Sequence, residues 1–237
     1  MNILNKNKVL FIFIFFMITI IILTFILIRK SSNSDKDKID NEKIYYEIKY
    51  IDNELIEISN LINNSLLNIK WNDLNNKVNI LYNYWNSAIL DFNELAIDNA
   101  ILTNFGKDLD NLSIAIKNKD KQLCFTNLLE LYNKVNIYYE KSNYKQEYIG
   151  VINAKYYLLK ACSIVDTNNW TLMYDNILEA DKCLLNTINT VDKNEYVQYN
   201  LNQAYVAIKE LENIINIKNS DIFYLKYNIV MSKIKNI

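Results

Sequence analysis

Residues 123–139 read LCFTNLLELYNKVNIYY, and Cys124, Leu128, Leu131, Val135 and Tyr138 fall at alternating steps of four and three. That spacing places them in one stripe along a helix, the pattern of a surface packed on a neighbouring helix. The pattern returns 49 residues later as Met173, Ile177, Ala180, Leu184 and Thr187. It also stands 50 residues earlier, where Leu74, Val78, Leu81, Trp85 and Ala88 continue into Phe92 and Leu95. Intervening stripes follow the same rule: Leu102, Phe105, Leu109, Leu112, Ile116; then Val151, Ala154, Leu158, Ala161, Val165; then Val197, Leu201, Ala204, Ile208, Leu211, Ile215. A repeat of about 50 residues holding two helices is the size of a helical hairpin. The expected fold is all-α, antiparallel hairpins forming a bundle or a short repeat array. The best local agreement between units is NLLE at 127–130 against NILE at 176–179, which heptad patterning alone can also produce.

Upstream, Ile44, Ile48, Ile51, Leu55, Ile58 and Ile62 form a further stripe whose frame does not continue through Lys70 to Asp73, so a break is expected there. Asp120, Asn168 and Asn219 precede apolar-periodic runs and are the expected N-caps. Pro is absent and Gly occurs only at Gly106 and Gly150, which argues against strand turns and leaves Asn as the residue for left-handed helix ends. The helical domain is expected over 39–237, with a division into two sub-bundles near 141–150. Ser31 to Lys38, SSNSDKDK, reads as a polar tether.

Ahead of the tether, Val9 to Ile28 reads VLFIFIFFMITIIILTFILI, with only Thr19 and Thr24 polar. Twenty helical residues span about 30 Å, the thickness of a bilayer core. The run passes straight into Arg29 and Lys30 with no small-residue cleavage site, so an uncleaved, single-pass anchor over residues 1–30 is expected, with the lipid bilayer as the partner of Val9–Ile28. Arg29, Lys30, Lys36 and Lys38 outnumber Lys6 and Lys8, which favours a cytoplasmic C-terminus. The short basic N-tail is the form of a signal-anchor that exports the chain on its C-terminal side, and export is the expectation adopted.

Basic and acidic residues number 26 and 27; setting aside Lys6, Lys8, Arg29 and Lys30 leaves 22 to 27. So acidic a domain lacks the footprint a phosphate backbone requires, and no nucleic-acid partner is expected. Lys117, Lys119 and Lys121, interrupted by Asp120, read as a solvated loop between helices. The sequence holds no histidine, which removes Ser-His-Asp and Cys-His catalysis and histidine-bearing zinc and di-iron motifs. Two isolated glycines build neither a Walker loop nor a dinucleotide fingerprint. Asp52, Glu54 and Glu57, with Glu47 upstream, are the remaining candidates for acid-base or hard-cation chemistry. Glu54 and Glu57 lie off the isoleucine stripe and are expected in water, so no catalytic residue, metal or cofactor is assigned. Cys124, Cys162 and Cys183 lack metal-ligand spacing and read as buried thiols, unless Cys162 and Cys183 pair across neighbouring helices in an oxidising compartment.

Tyrosine is the notable excess. Tyr138, Tyr139, Tyr144 and Tyr148 surround a helix connection, while Tyr156, Tyr157, Tyr196, Tyr199 and Tyr205 sit on adjacent helices. Their hydroxyl-tipped rings either fill helix interfaces or line a groove for a small molecule, peptide or wall glycan. The groove candidates are Tyr138, Tyr139, Tyr144, Tyr148, Tyr156, Tyr157, Tyr199 and Tyr205. Trp71 and Trp170 are expected to open helices and brace hairpin corners.

Trp71, Trp85 fourteen residues later, and LDNLSIAIKNKDKQLCFTNLLELYNK at 109–134 carry a resemblance. Over about residues 1–140 the chain resembles a family of small membrane-anchored helical proteins of unknown function from clostridia and their relatives. A histidine associated with that family's middle is missing here, and the last hundred residues fall outside the resemblance. The resemblance implies an anchored, extracytoplasmic helical domain and transfers no functional residues. The resulting expectation is an anchored binding or scaffolding protein, acting through a protein partner or self-association, with an extracytoplasmic ligand sensor as the alternative.

Overall fold

The stripes become buried helix faces. In the computed structural model, which describes residues 41–63, 69–95, 97–143, 145–191, 194–235 and 237, the stripe residues are buried throughout except Val197, which is half-buried. Eight α-helices occur among the described residues: α1 (41–62), α2 (Trp71–Phe92), α3 (Asn99–Lys117), α4 (Lys121–Ser142), α5 (Ile149–Ser163), α6 (Trp170–Thr190), α7 (Glu195–Ile214) and α8 (Ser220–Lys235). The described residues contain no strand. The 9–28 anchor and the 31–38 tether lie outside the described residues, and among those described no helix is long and apolar enough to cross a membrane. Ile44–Ile237 forms one unit, within which 143–148 is a connection between α4 and α5.

The 49–50-residue period is legible in the corners. Helices α2, α4, α6 and α8 open at Trp71, Lys121, Trp170 and Ser220. Before the last three stands a residue in left-handed conformation, Lys119, Asn168 or Lys218, each with φ between 52° and 55°. Next comes a side-chain cap: Asp120 accepts from the Leu123 amide at 2.9 Å, Asn169 from Leu172 at 3.1 Å and Asn219 from Ile222 at 2.9 Å. Asp120 and Asn219 are therefore the caps expected. Asn168 is not; it supplies the left-handed residue that asparagine tolerates, and its neighbour Asn169 makes the cap. Asn127 and Asn176 also repeat, each donating to the carbonyl four residues back, Leu123 and Leu172. Consecutive helices pack on one another, and α5 also packs on α8.

Helix α1 departs from the surface-helix reading. Between residues 44 and 63 only Tyr46 is exposed. Its isoleucine stripe is buried as expected, but so are Asp52, Ser59 and Asn63, and Glu54 is 8% exposed rather than solvated. The reason is that α1 has neighbours on several sides. Tyr50 meets Tyr84 of α2 with ring centroids 4.0 Å apart, Tyr45 meets Tyr139 of α4, and Ser59 bonds Tyr227 of α8.

Helix α5 packs closely on α6. A Cβ on Gly150 would overlap Thr187 Oγ1 and stand 2.6 Å from the Cys183 carbonyl oxygen. Cys183 therefore faces the start of α5, whereas Cys162 lies twelve residues further along, about 18 Å at helical rise. Both thiols are free, and the expected alternative of a Cys162–Cys183 bridge is corrected by that separation. Gly106, by contrast, has only Trp85 Nε1 near its absent Cβ, at an ordinary 3.6 Å. In urea unfolding, Gly150→Ala is expected to destabilise the domain by about 2 kcal/mol or more. Gly106→Ala is expected to be neutral or to stabilise by up to about 1 kcal/mol, because alanine favours the helix. Equal effects of the two substitutions would contradict this packing.

Candidate functional site

A buried charge cluster, an open groove and the tyrosines are the candidates the fold offers. Asp52 is fully buried and accepts from three groups: Lys155 Nζ of α5 at 2.7 Å, Tyr139 Oη of α4 at 3.4 Å, and Tyr132 Oη of α4. Lys155 is itself buried at 2% exposure. Burial pushes the Tyr132 and Tyr139 hydroxyls well above the ordinary tyrosine range, and the Asp52 carboxylate adds to both. Beside the pair, Tyr45, Lys49, Tyr148 and Ile152 help to enclose a cavity of about 10 Å³. That is room for one water molecule, so the cluster is a structural lock with no space for a substrate. Burial, reinforced by Lys155, lowers the Lys49 ammonium.

Two turns on, α1 borders open space. Glu57, Asn60 and Leu61 of α1, Lys77 of α2 and Asn228 of α8 line a groove of about 400 Å³. Lys77 pairs with both Glu54 and Glu57, and Lys235 of α8 pairs with Glu57. Side-chain hydrogen bonds from Lys235 and Lys77 hold Glu57 below the usual carboxylate range. Glu54 and Glu57 are thus cross-helix ties, and neither is an isolated solvated charge. The carboxamide oxygens of Asn60 and Asn228 are buried and have no hydrogen-bond partner among the described residues, an arrangement that costs about 1–3 kcal/mol per group. Among the described residues no group of three or more Cys, Asp or Glu is placed to hold a metal ion.

The tyrosines are dispersed. Tyr138 is buried in an aromatic block with Trp85, Phe92 and Phe105, stacked nearly parallel to Trp85 at 5.9 Å. Tyr139 and Tyr148 border the small cavity beside Asp52. Tyr156 and Tyr157 meet edge to face and are half-buried. Tyr199 is 62% exposed on α7, and Tyr205 lies under Lys209. Tyr144 lies outside the described residues. The structure brings Tyr139 and Tyr148 to one small cavity and Tyr156 against Tyr157, and gathers the described candidates into no common groove. The reason is helical periodicity: adjacent tyrosines point about 100° apart, so sequence clustering does not make them converge. Sequence reading missed Asp52, Lys155, Asn60 and Asn228 as interior groups; a signal for Asp52 was its place one residue beyond the apolar stripe.

Comparisons with family models, curated proteins and solved structures give no match for this chain.

The buried cluster carries two expectations. Lys155→Met leaves Asp52 buried and unpaired and should cost about 3–5 kcal/mol, while the Asp52→Leu/Lys155→Met double variant should lose less than the two single changes summed. Additive losses in denaturant unfolding would refute the pairing. Tyr132, Tyr139 and Tyr227 have raised folded values, so they stay protonated in the fold while the unfolded chain ionises near pH 10. Stability should be complete below about pH 10 and fall as pH rises past it. The phenolate absorbance of these rings should then appear together with unfolding, and a smooth titration of every tyrosine in the intact fold would contradict their burial.

Proposed function

We propose that this protein is a membrane-anchored helical-hairpin module that binds a partner or a second copy of itself, held at the surface through Val9–Ile28 with the domain on the exported side. The observation that carries the reading is the α1–α2–α8 groove. It combines an apolar contact at Leu61, a fixed set of ion pairs, and the half-buried side chains of Asn60 and Asn228. Polar side chains at the wall of an open groove give orientation and specificity to what binds there. The fully buried charge cluster supports the same view from the other side, since it holds α1 rigidly against its neighbours and so fixes the groove's position. The chemistry present favours binding over turnover: the candidate carboxylates are engaged with lysines.

The test uses the full chain in its membrane. The protein should resist extraction by alkaline carbonate, and a variant lacking residues 1–30 should be released. Mild solubilisation should recover the intact chain with a stoichiometric partner or as a self-associated species, and Asn228→Trp, which fills the groove, should lose it without lowering the unfolding temperature by more than a few degrees. Recovery of the native chain alone and monomeric, or release by carbonate, would overturn the proposal.

A further inference from the structure

Where α7 ends beside the start of α6, the corner holds a second open groove, of about 270 Å³. Trp170 and Tyr174 stand one helical turn apart on α6 and form its walls, with Ile215 at its base. Thr171, Asn216 and Lys218 complete the lining. Two features of this corner bear on binding.

The first is that its aromatic wall is held in place. Tyr174 is 37% exposed, yet its hydroxyl donates to Glu212 Oε1 at 3.3 Å. The other oxygen of Glu212 accepts from Lys209 at 2.9 Å, and Lys209 is tied to Asp181 at 2.8 Å. Three side chains from α6 and α7, Glu212, Lys209 and Asp181, thus hold one exposed ring. Trp170 is fixed by packing against the core. The second feature is that the polar lining is uncommitted. The lysine that opens α4, Lys121, is by contrast engaged with Asp166 and Tyr224. The side chains of Thr171, Asn216 and Lys218 make no hydrogen bond or ion pair among the described residues.

We propose that this groove binds a saccharide ring bearing a carboxylate, stacked between Trp170 and Tyr174 with Lys218 on the acidic group. The C–H face of a sugar is weakly positive and complements the electron-rich face of an aromatic ring. Its hydroxyl edge needs mixed donors and acceptors, which Thr171 and Asn216 supply. An apolar peptide anchor fits less well, because it calls for an enclosed hydrophobic hole, and here Ile215 is the sole aliphatic lining residue. The acidic group is specified by charge. Lys218 is the only charged lining residue, and the N-terminal end of α6 adds partial positive charge beside it.

This inference rests on reading the domain as a binding module, but its groove shares no lining residue with the α1–α2–α8 groove, so the two fail separately. The full chain, in a detergent without a sugar headgroup, would be titrated by calorimetry with a hexamer of galacturonic acid, with maltohexaose and with hexaglutamate. The expected result is saturable binding of the acidic hexasaccharide, at least tenfold tighter than either other ligand. Tyr174→Ala and Lys218→Ala should each weaken it at least tenfold, while recovery of the partner or self-associated species through the α1–α2–α8 groove is unchanged. Tyr174→Phe, which keeps the ring and loses only the Glu212 bond, should retain most of the affinity and so separates stacking from a folding defect. No binding of the acidic hexasaccharide, equal binding of maltohexaose, equal binding of hexaglutamate, or full affinity in Tyr174→Ala would each overturn the proposal.

Discussion

The placement of α1 rests on one buried ion pair. Asp52 and Lys155 are both sealed from solvent, a condition that is unfavourable unless each charge is compensated at close range. Compensation requires α4 to present Tyr132 and Tyr139 and α5 to present Lys155 at the same level of α1. A slip of α1 by a single residue would turn Asp52 about 100° away and strand Lys155. Apolar packing tolerates such slips far better than a buried charge does, so the polar contact sets the register and the isoleucines around it supply the burial.

Around that helix the remaining chain is built from one repeated joint. A left-handed residue reverses the chain and an Asx cap starts the next helix at the same spacing each time. Lysine occupies the left-handed position at Lys119 and Lys218, where a β-carbon costs about 1–2 kcal/mol relative to glycine. Repeat arrays of hairpins usually offer a concave face to ligands. In this domain α1 is itself covered on its α2, α4, α5 and α8 sides, and the open grooves among the described residues lie where helices end. Both open grooves occupy such places, one at the end of α1 and the other where α6 starts.

The two grooves differ in chemistry as well as position. The α1–α2–α8 groove is balanced in charge, with Glu54 and Glu57 tied to Lys77 and Lys235, and its distinguishing groups are neutral carboxamides. The α6–α7 corner is aromatic with a single cation. Surfaces of such different chemistry suit different ligands.

How much of the fold is legible in the sequence depends on the range of the interaction. Helix type, the stripes, the 49–50-residue spacing, the break before Trp71 and the caps at Asp120 and Asn219 are readable because they depend on residues three or four positions apart, or on a repeated local pattern. Which of the off-stripe groups lie inside is not readable. Asp52 and Glu54 look alike in sequence; Asp52 is enclosed because residues 80 to 103 positions away arrive beside it. The tyrosines near 138–148 invite a shared groove, but the helical turn sends Tyr138 into the Trp85 block and Tyr139 to Asp52. The sequence alone determined that the chain folds into amphipathic helices behind an apolar leader, since periodicity is a local property. Only tertiary structure decided that the first of those helices would be enclosed, and where open surface would remain, because both depend on several helices filling space around one another.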